Sequence, residues 1–277
     1  MKVFANGVSY HVESFGDGEP LLLLHGFTGS VETWKPFLPY WRDYRLILVD
    51  IIGHGRTDSP TDPARYEIEK VAADLEEILR HLHLQDAHVL GYSMGGRLAL
   101  TFAILYPHRV RTLILESSSP GLKTMQERWE RIERDEALAE EIERYGIKKF
   151  VEKWENIPLF ASQKRLPLSV RQQIRTERLS NNEKGLANSL RGMGTGRQPS
   201  WWNRLSEVSI PTLLLCGEWD QKFCRIAEEM KKYLPNCEMV KVARAGHAIH
   251  VEQREIFAKI VSEFIKGAFL LEVFSGT

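Results

Sequence analysis

Three polar side chains far apart in the chain, Ser93, Asp220 and His247, are of the types that proton transfer to and from a hydroxyl requires. Ser93 sits in Gly91-Tyr92-Ser93-Met94-Gly95, behind an apolar run and ahead of the helix-forming stretch Arg97 to Tyr106. That succession reads as strand, sharp turn and helix. A serine on such a turn takes strained dihedrals, side chains at the flanking positions would collide with backbone, and glycine removes the collision. The helix start then offers free N–H groups to a developing negative charge. The five-residue pattern alone also fits a glycine-rich turn with a capping serine. Asp220 and His247 decide between the two, because each follows a strand-like run, and the carboxyl ends of parallel strands line one crevice. There the imidazole would take the Ser93 proton while Asp220 fixes the ring's tautomer. Glu116 and Asp50 also end strand-like runs and are rival acids; Asp220 is preferred because its loop directly precedes the strand leading to His247. His54 and His250 flank plausible site loops, and His25 shapes the loop that presents the Phe27 N–H. With the Met94 N–H, that group would form a two-donor oxyanion hole.

The elements that must position these groups are legible in order. Val3 to Val8 and Val8 to Phe15 read as a hairpin turning at Asn6-Gly7. Pro20 to Leu24 and Arg45 to Asp50 are apolar on both faces, as strands of a covered parallel sheet are. Val31 to Trp41 is expected to be a helix with Pro36 near its start. Tyr66 to His83 carries Val71, Leu75, Ile78, Leu79 and Leu82 at helical spacing. Strands at Val110 to Glu116, Pro211 to Cys216 and Cys237 to Val242, with helices near Arg225 to Leu234 and Phe257 to Ile265, complete an alternation. The prediction is an α/β fold, a mainly parallel central sheet with helices on both faces. Composition changes at Pro120, where charged helical patterns replace strands. The expected division is a core from 1–119, a helical cap from 120–207 and the second part of the core from 208–277. No role is legible in the tail Ala268 to Thr277.

Among 277 residues, 37 basic and 37 acidic side chains balance, which argues against a partner held by bulk charge, whether nucleic acid or membrane surface. Cys216, Cys224 and Cys237 are an odd number without metal-ligand spacing, and no leader-like or bilayer-length apolar run is present. A cytoplasmic protein without a metal is the expectation, its oligomeric state left open.

Together His25-Gly26-Phe27, Asp50 with Gly53-His54-Gly55, Gly91 to Gly95, Gly217-Glu218 with Asp220, and Gly246-His247 resemble the α/β-hydrolase superfamily over essentially the whole chain. Within it the chain is similar to the menaquinone-pathway synthases that make 2-succinyl-6-hydroxy-2,4-cyclohexadiene-1-carboxylate. The segments that carry this are Gly91 to Arg97, Glu116 to Leu122, Trp154 to Phe160, Arg178 to Asn182 and Gly194 to Pro199. The resemblance implies a cofactor-independent lyase acting on a small polycarboxylate substrate, with the serine as activated base. A three-carboxylate substrate needs fixed cations, and guanidinium groups bind carboxylates in paired hydrogen bonds. Arg97, one helical turn after Ser93, can face the same crevice. By similarity Arg131 and Arg178 would complete the set, and Tyr92, Trp154 and Phe160 would shape the pocket. Two alternatives stay open: a hydrolase of esters or carbon–carbon bonds using the same three residues, and a non-catalytic ligand-binding protein on this fold.

Overall fold

The computed structural model describes residues 1–267, so the tail Ala268 to Thr277 lies outside the described residues. Strand β1 (Lys2–Ala5) turns at Asn6 and Gly7, whose φ values of 45° and 87° are those of a tight hairpin turn, into β2 (Val8–Phe15). Then come β3 (Glu19–Leu24), β4 (Tyr44–Val49), helix α1 (Ile68–His81), β5 (Ala87–Tyr92), α2 (Met94–Leu105) and β6 (Val110–Glu116). A helical stretch follows: α3 (Met125–Trp154), bent at Gly146, α4 (Leu168–Leu179) and α5 (Glu183–Met193). The chain returns to the sheet with β7 (Thr212–Gly217), α6 (Gln221–Lys231) and β8 (Cys237–Val242), and closes with the short α7 (Ile249–Glu252) and α8 (Arg254–Ile265).

The eight strands form one sheet in the order β1-β2-β4-β3-β5-β6-β7-β8. β2 runs antiparallel to both β1 and β4, and every other pair is parallel. Leu21 to Leu24 of β3 are fully buried because both faces are covered, and this is why the run is apolar without alternation. On one face α1 and α2 seal Leu22, Leu24 and Val89 with Val71, Leu75, Leu98 and Phe102; on the other, α8 and residues 31–41 cover Leu21, Leu23 and Leu90. The helices between β6 and β7 have a small core of their own, in which Ile142, Phe150 and Leu186 are buried.

Residues 31–41 do not form the expected α-helix. They form two 3₁₀ turns, Val31–Thr33 and Lys35–Phe37. Pro36 has no N–H to extend a helical ladder, and the bonds that form span three residues, as from Phe37 N–H to Trp34 O at 2.9 Å. Trp34, Phe37 and Trp41 of this segment are buried in the core.

Candidate active site

The chain between β5 and α2 turns at Ser93, whose φ of 50° and ψ of −105° are sparsely allowed for a residue with a side chain. A hydrogen bond from Ser93 N–H to Glu116 O, 2.8 Å, and packing of neighbouring glycines hold it there. A Cβ at Gly95 would stand 2.3 Å from Leu24 O and 2.5 Å from His25 O, so only glycine lets α2 approach the end of β3 this closely. The Ser93 hydroxyl consequently stands at the carboxyl edge of the sheet.

Asp220 follows β7 and His247 follows β8, and the fold brings both to Ser93. His247 Nε2 lies 3.0 Å from Ser93 Oγ, and Nδ1 lies 2.6 Å from Asp220 Oδ2. A carboxylate accepts, so Nδ1 carries the ring proton and Nε2 is left to accept from the Ser93 hydroxyl. Asp220 Oδ1 also accepts from Phe223 N–H, 3.3 Å, at the start of α6, which fixes the carboxylate's rotation. The imidazole is buried in a slot of aromatic rings, with the centroids of Phe223, Tyr92 and Phe160 at 4.7, 5.4 and 6.2 Å. This arrangement can withdraw a proton from Ser93 and hold it, leaving the oxygen as base or nucleophile.

The rival acids are engaged elsewhere. Both Glu116 carboxylate oxygens lie 2.9 Å from His250 Nδ1, and Oε1 accepts from His250 N–H as well. Asp50 accepts from Val31 N–H at 2.6 Å and Arg56 N–H at 2.8 Å, tying two loops together. His25 donates from Nδ1 to Gly26 O, 2.8 Å, and its Nε2 accepts from Ile51 N–H, 2.9 Å. Burial lowers its pKa to about 4, so it stays neutral and braces the loop that carries Phe27. His54 packs its ring against His25 and Phe27, and burial lowers its pKa to about 3. Phe27 N–H makes no hydrogen bond within the described residues, and Met94 N–H, at the first position of α2, has no helical carbonyl to donate to.

Ser93 opens into a cavity of about 920 Å³ that Tyr92, Arg97, Arg131, Trp154, Phe160 and His247 help line. Arg97 is buried. One of its nitrogens donates to Met193 O at 2.7 Å and to Gln198 Oε1, and burial together with the nearby Arg131 lowers its pKa. Arg131 donates from Nε to Asp135 Oδ1, 2.7 Å. Trp154 and Phe160 meet edge to face at 5.8 Å, and the buried Trp154 Nε1 has no partner in the described residues. Burial and the Glu116 charge raise the Tyr92 pKa, so it remains a neutral phenol. Arg178 lies against Phe160, its guanidinium 4.6 Å from that ring. It lines a neighbouring cavity of about 900 Å³ that shares Phe27, Tyr92 and Phe160 with the first.

Sequence reasoning missed Lys222 and Asp135 and took Arg134 only as a rival to Arg131. Lys222, two residues beyond Asp220, and Arg134, three beyond Arg131, stand at the rim of the Ser93 cavity, and Asp135 is buried between the charges of Arg131 and Arg97. The four-residue spacing from Arg131 to Asp135 was a readable signal for that ion pair. Among the described residues no group of three or more His, Cys, Asp or Glu side chains is gathered as metal ligands are, and no helix is long and apolar enough to cross a membrane.

A parallel sheet whose strand ends present serine, acid and histidine in this order, with the serine on a glycine-flanked elbow, defines an α/β-hydrolase architecture. The chain belongs to that family: a family model described as the alpha/beta hydrolase fold matches residues 19–253. More particularly, it is similar to a Bacillus subtilis protein provisionally named 2-succinyl-6-hydroxy-2,4-cyclohexadiene-1-carboxylate synthase, 52% identical over 94% of this chain and 96% of that one. The solved structure of MenH from S. aureus superposes with a TM-score of 0.89 at 37% identity, covering 93% of this chain and 98% of the other. A thermophilic esterase from Thermogutta terrifontis, solved with malate bound, superposes with a TM-score of 0.85 at 29% identity over 96% and 98% of the two chains.

Proposed function

We propose that this protein serves menaquinone biosynthesis as a cofactor-independent lyase. It would eliminate pyruvate from 2-succinyl-5-enolpyruvyl-6-hydroxy-3-cyclohexene-1-carboxylate to give 2-succinyl-6-hydroxy-2,4-cyclohexadiene-1-carboxylate. Ser93 gives its proton to His247 Nε2, and the alkoxide takes the ring proton that the succinyl carbonyl acidifies. The electron pair delocalises into that carbonyl, whose oxygen is held by the N–H groups of Phe27 and Met94, then returns to expel the enolpyruvyl oxygen. The imidazolium proton balances the departing enolate, which becomes pyruvate. Asp220 stabilises the imidazolium throughout.

The observation that carries this reading is a base-activated serine opening into a cavity lined by six Lys and Arg side chains against three Asp and Glu. An excess of positive charge suits a substrate with three carboxylates and is of little use to an enzyme for apolar esters. Arg97, Arg131 and Arg178 are assigned to carboxylates, and Tyr92, Trp154 and Phe160 to the walls. The names of the relatives support the same pathway. The likeness to an esterase favours the second reading, hydrolysis through an acyl-enzyme on Ser93. An assay separates them: purified protein given the menaquinone precursor releases pyruvate without added metal or nucleotide. Rapid cleavage of an aryl ester with the precursor left intact would instead establish the hydrolase, and inactivity on both with tight ligand binding a non-catalytic binder.

A further inference from the structure

The loop that carries the Phe27 N–H is held from outside. Gly26 O accepts from Gly29 N–H at 3.0 Å, so Phe27 and Thr28 are the central residues of a tight turn, and Thr28 has a φ of 71°. Such a turn calls for glycine or asparagine at its second central position, and a β-branched side chain there is strained. Gly26 O and Phe27 N–H belong to one planar trans peptide and point in opposite directions. The turn bond, with a second from His25 Nδ1 to the same oxygen at 2.8 Å, therefore aims the Phe27 N–H out of the turn. Backbone strain persists only where the surroundings over-determine it, and here they include the end of α4. Asn181, 6% exposed, donates from Nδ2 to Thr28 O at 2.9 Å and accepts at Oδ1 from Gly55 N–H at 3.1 Å, which fixes the direction of its amide. The same nitrogen reaches the helix-end carbonyls of Glu177 and Arg178 at 3.2 and 3.4 Å. One turn earlier, Glu177 Oε1 secures the rest of the loop, accepting from Ser30 N–H, Ser30 Oγ and Thr33 Oγ1 at 2.7 to 2.9 Å.

We infer that Asn181 is a positioning residue for the reaction: by holding Thr28 O it keeps the turn in its strained form, with the Phe27 N–H aimed at the oxygen on which negative charge develops. The inference rests on the role given to that N–H in the proposed elimination. Without the Asn181 amide, Thr28 relaxes toward negative φ, Gly29 N–H leaves Gly26 O, and the Gly26–Phe27 peptide rotates. The oxygen then keeps the Met94 donor alone. Asn181 lines neither cavity, so its effect reaches the reaction through Thr28 and falls on the charge of the transition state rather than on substrate binding.

Two substitutions test this. Asn181→Ala removes both bonds, whereas Asn181→Asp keeps an acceptor for Gly55 N–H and removes the donor to Thr28 O. Each is expected to lower kcat for pyruvate release roughly ten- to a hundredfold while KM for the precursor stays within about threefold. Thr28→Gly, which adopts a positive φ without strain, should restore kcat about threefold or more when added to either variant. Loss of fold alone would not be repaired by this change. A raised KM with kcat kept, wild-type kinetics in Asn181→Asp, or a loss that Thr28→Gly leaves unrepaired would overturn the inference. Phenylboronic acid reads the same donors without turnover: boron bonds to Ser93 Oγ, the serine proton passes to His247, and a boron-bound oxygen stands where the anion forms. Its affinity should fall roughly tenfold in both variants. That fall, in a protein that releases no pyruvate, would sink the elimination and leave the positioning role standing. Elimination with kcat and boronate affinity unchanged in the variants would do the reverse. If one variant fails to fold, the other carries the test.

Discussion

Glu116 turns both carboxylate oxygens onto His250 Nδ1, each at 2.9 Å, and so is withheld from His247, the ring that faces Ser93. Two acids at neighbouring strand ends thus each hold a histidine, but only Asp220 holds the one that can take the serine proton. Asp220→Asn is therefore predicted to lower kcat roughly 10³- to 10⁴-fold, because an amide no longer enforces the Nδ1–H tautomer. Glu116→Gln should leave kcat within a few-fold while lowering the melting temperature. Steady-state pyruvate release and thermal unfolding of the two variants check the assignment, and the opposite pattern would make Glu116 the functional acid.

Arg97 is asked both to receive a carboxylate and to hold the end of α5 through Met193 O and Gln198. Arg97→Ala loses a charge-assisted contact of about 1.5–3 kcal/mol, so kcat/KM should fall roughly ten- to a hundredfold. Arg97→Lys keeps the charge but not the fork and should fall between. Kinetics equal to wild type in Arg97→Ala would remove it from the site.

His25 and His54 give stability a definite dependence on pH. Their pKa values fall from 6.5 to about 4 and about 3 because burial disfavours the charged ring, and the His25 charge further opposes that of His54. Above pH 6.5 both rings are neutral whether the chain is folded or not, and the full stability is present. As pH falls below 6.5 the unfolded chain takes up protons that the folded one refuses until about pH 4. For His25 alone that loss amounts to about 3 kcal/mol. Urea midpoints should therefore decline between pH 6.5 and 4, and His54→Asn should flatten the decline. Equal slopes in wild type and variant would contradict this.

Much of the site was legible because it rests on local rules. The glycine elbow and the strand ends follow from steric and topological constraints that sequence states directly, while the order of Ser93, Asp220 and His247 is legible through the family resemblance. Pro36 is tolerated near a helix start, so the segment reads as a helix, yet its missing N–H leaves two 3₁₀ turns there. The roles of Asp135 and Gln198 depend on how the helices after β6 fold back over Arg97, and no local pattern encodes that packing. The meeting of Phe27, Tyr92 and Phe160 beside Ser93 has the same origin, since the three come from distant segments.

In the proposed elimination the Ser93 oxygen removes a proton from carbon and forms no bond to the substrate. Precursor carrying deuterium at the ring carbon beside the succinyl carbonyl, followed through one turnover with intact-protein mass measurement, addresses both halves. The account predicts a primary isotope effect on pyruvate formation, its abolition along with pyruvate release in Ser93→Ala, and an unmodified protein mass at every time point. A substrate-derived adduct on Ser93, or pyruvate formed at equal rates from the two isotopologues, would contradict it.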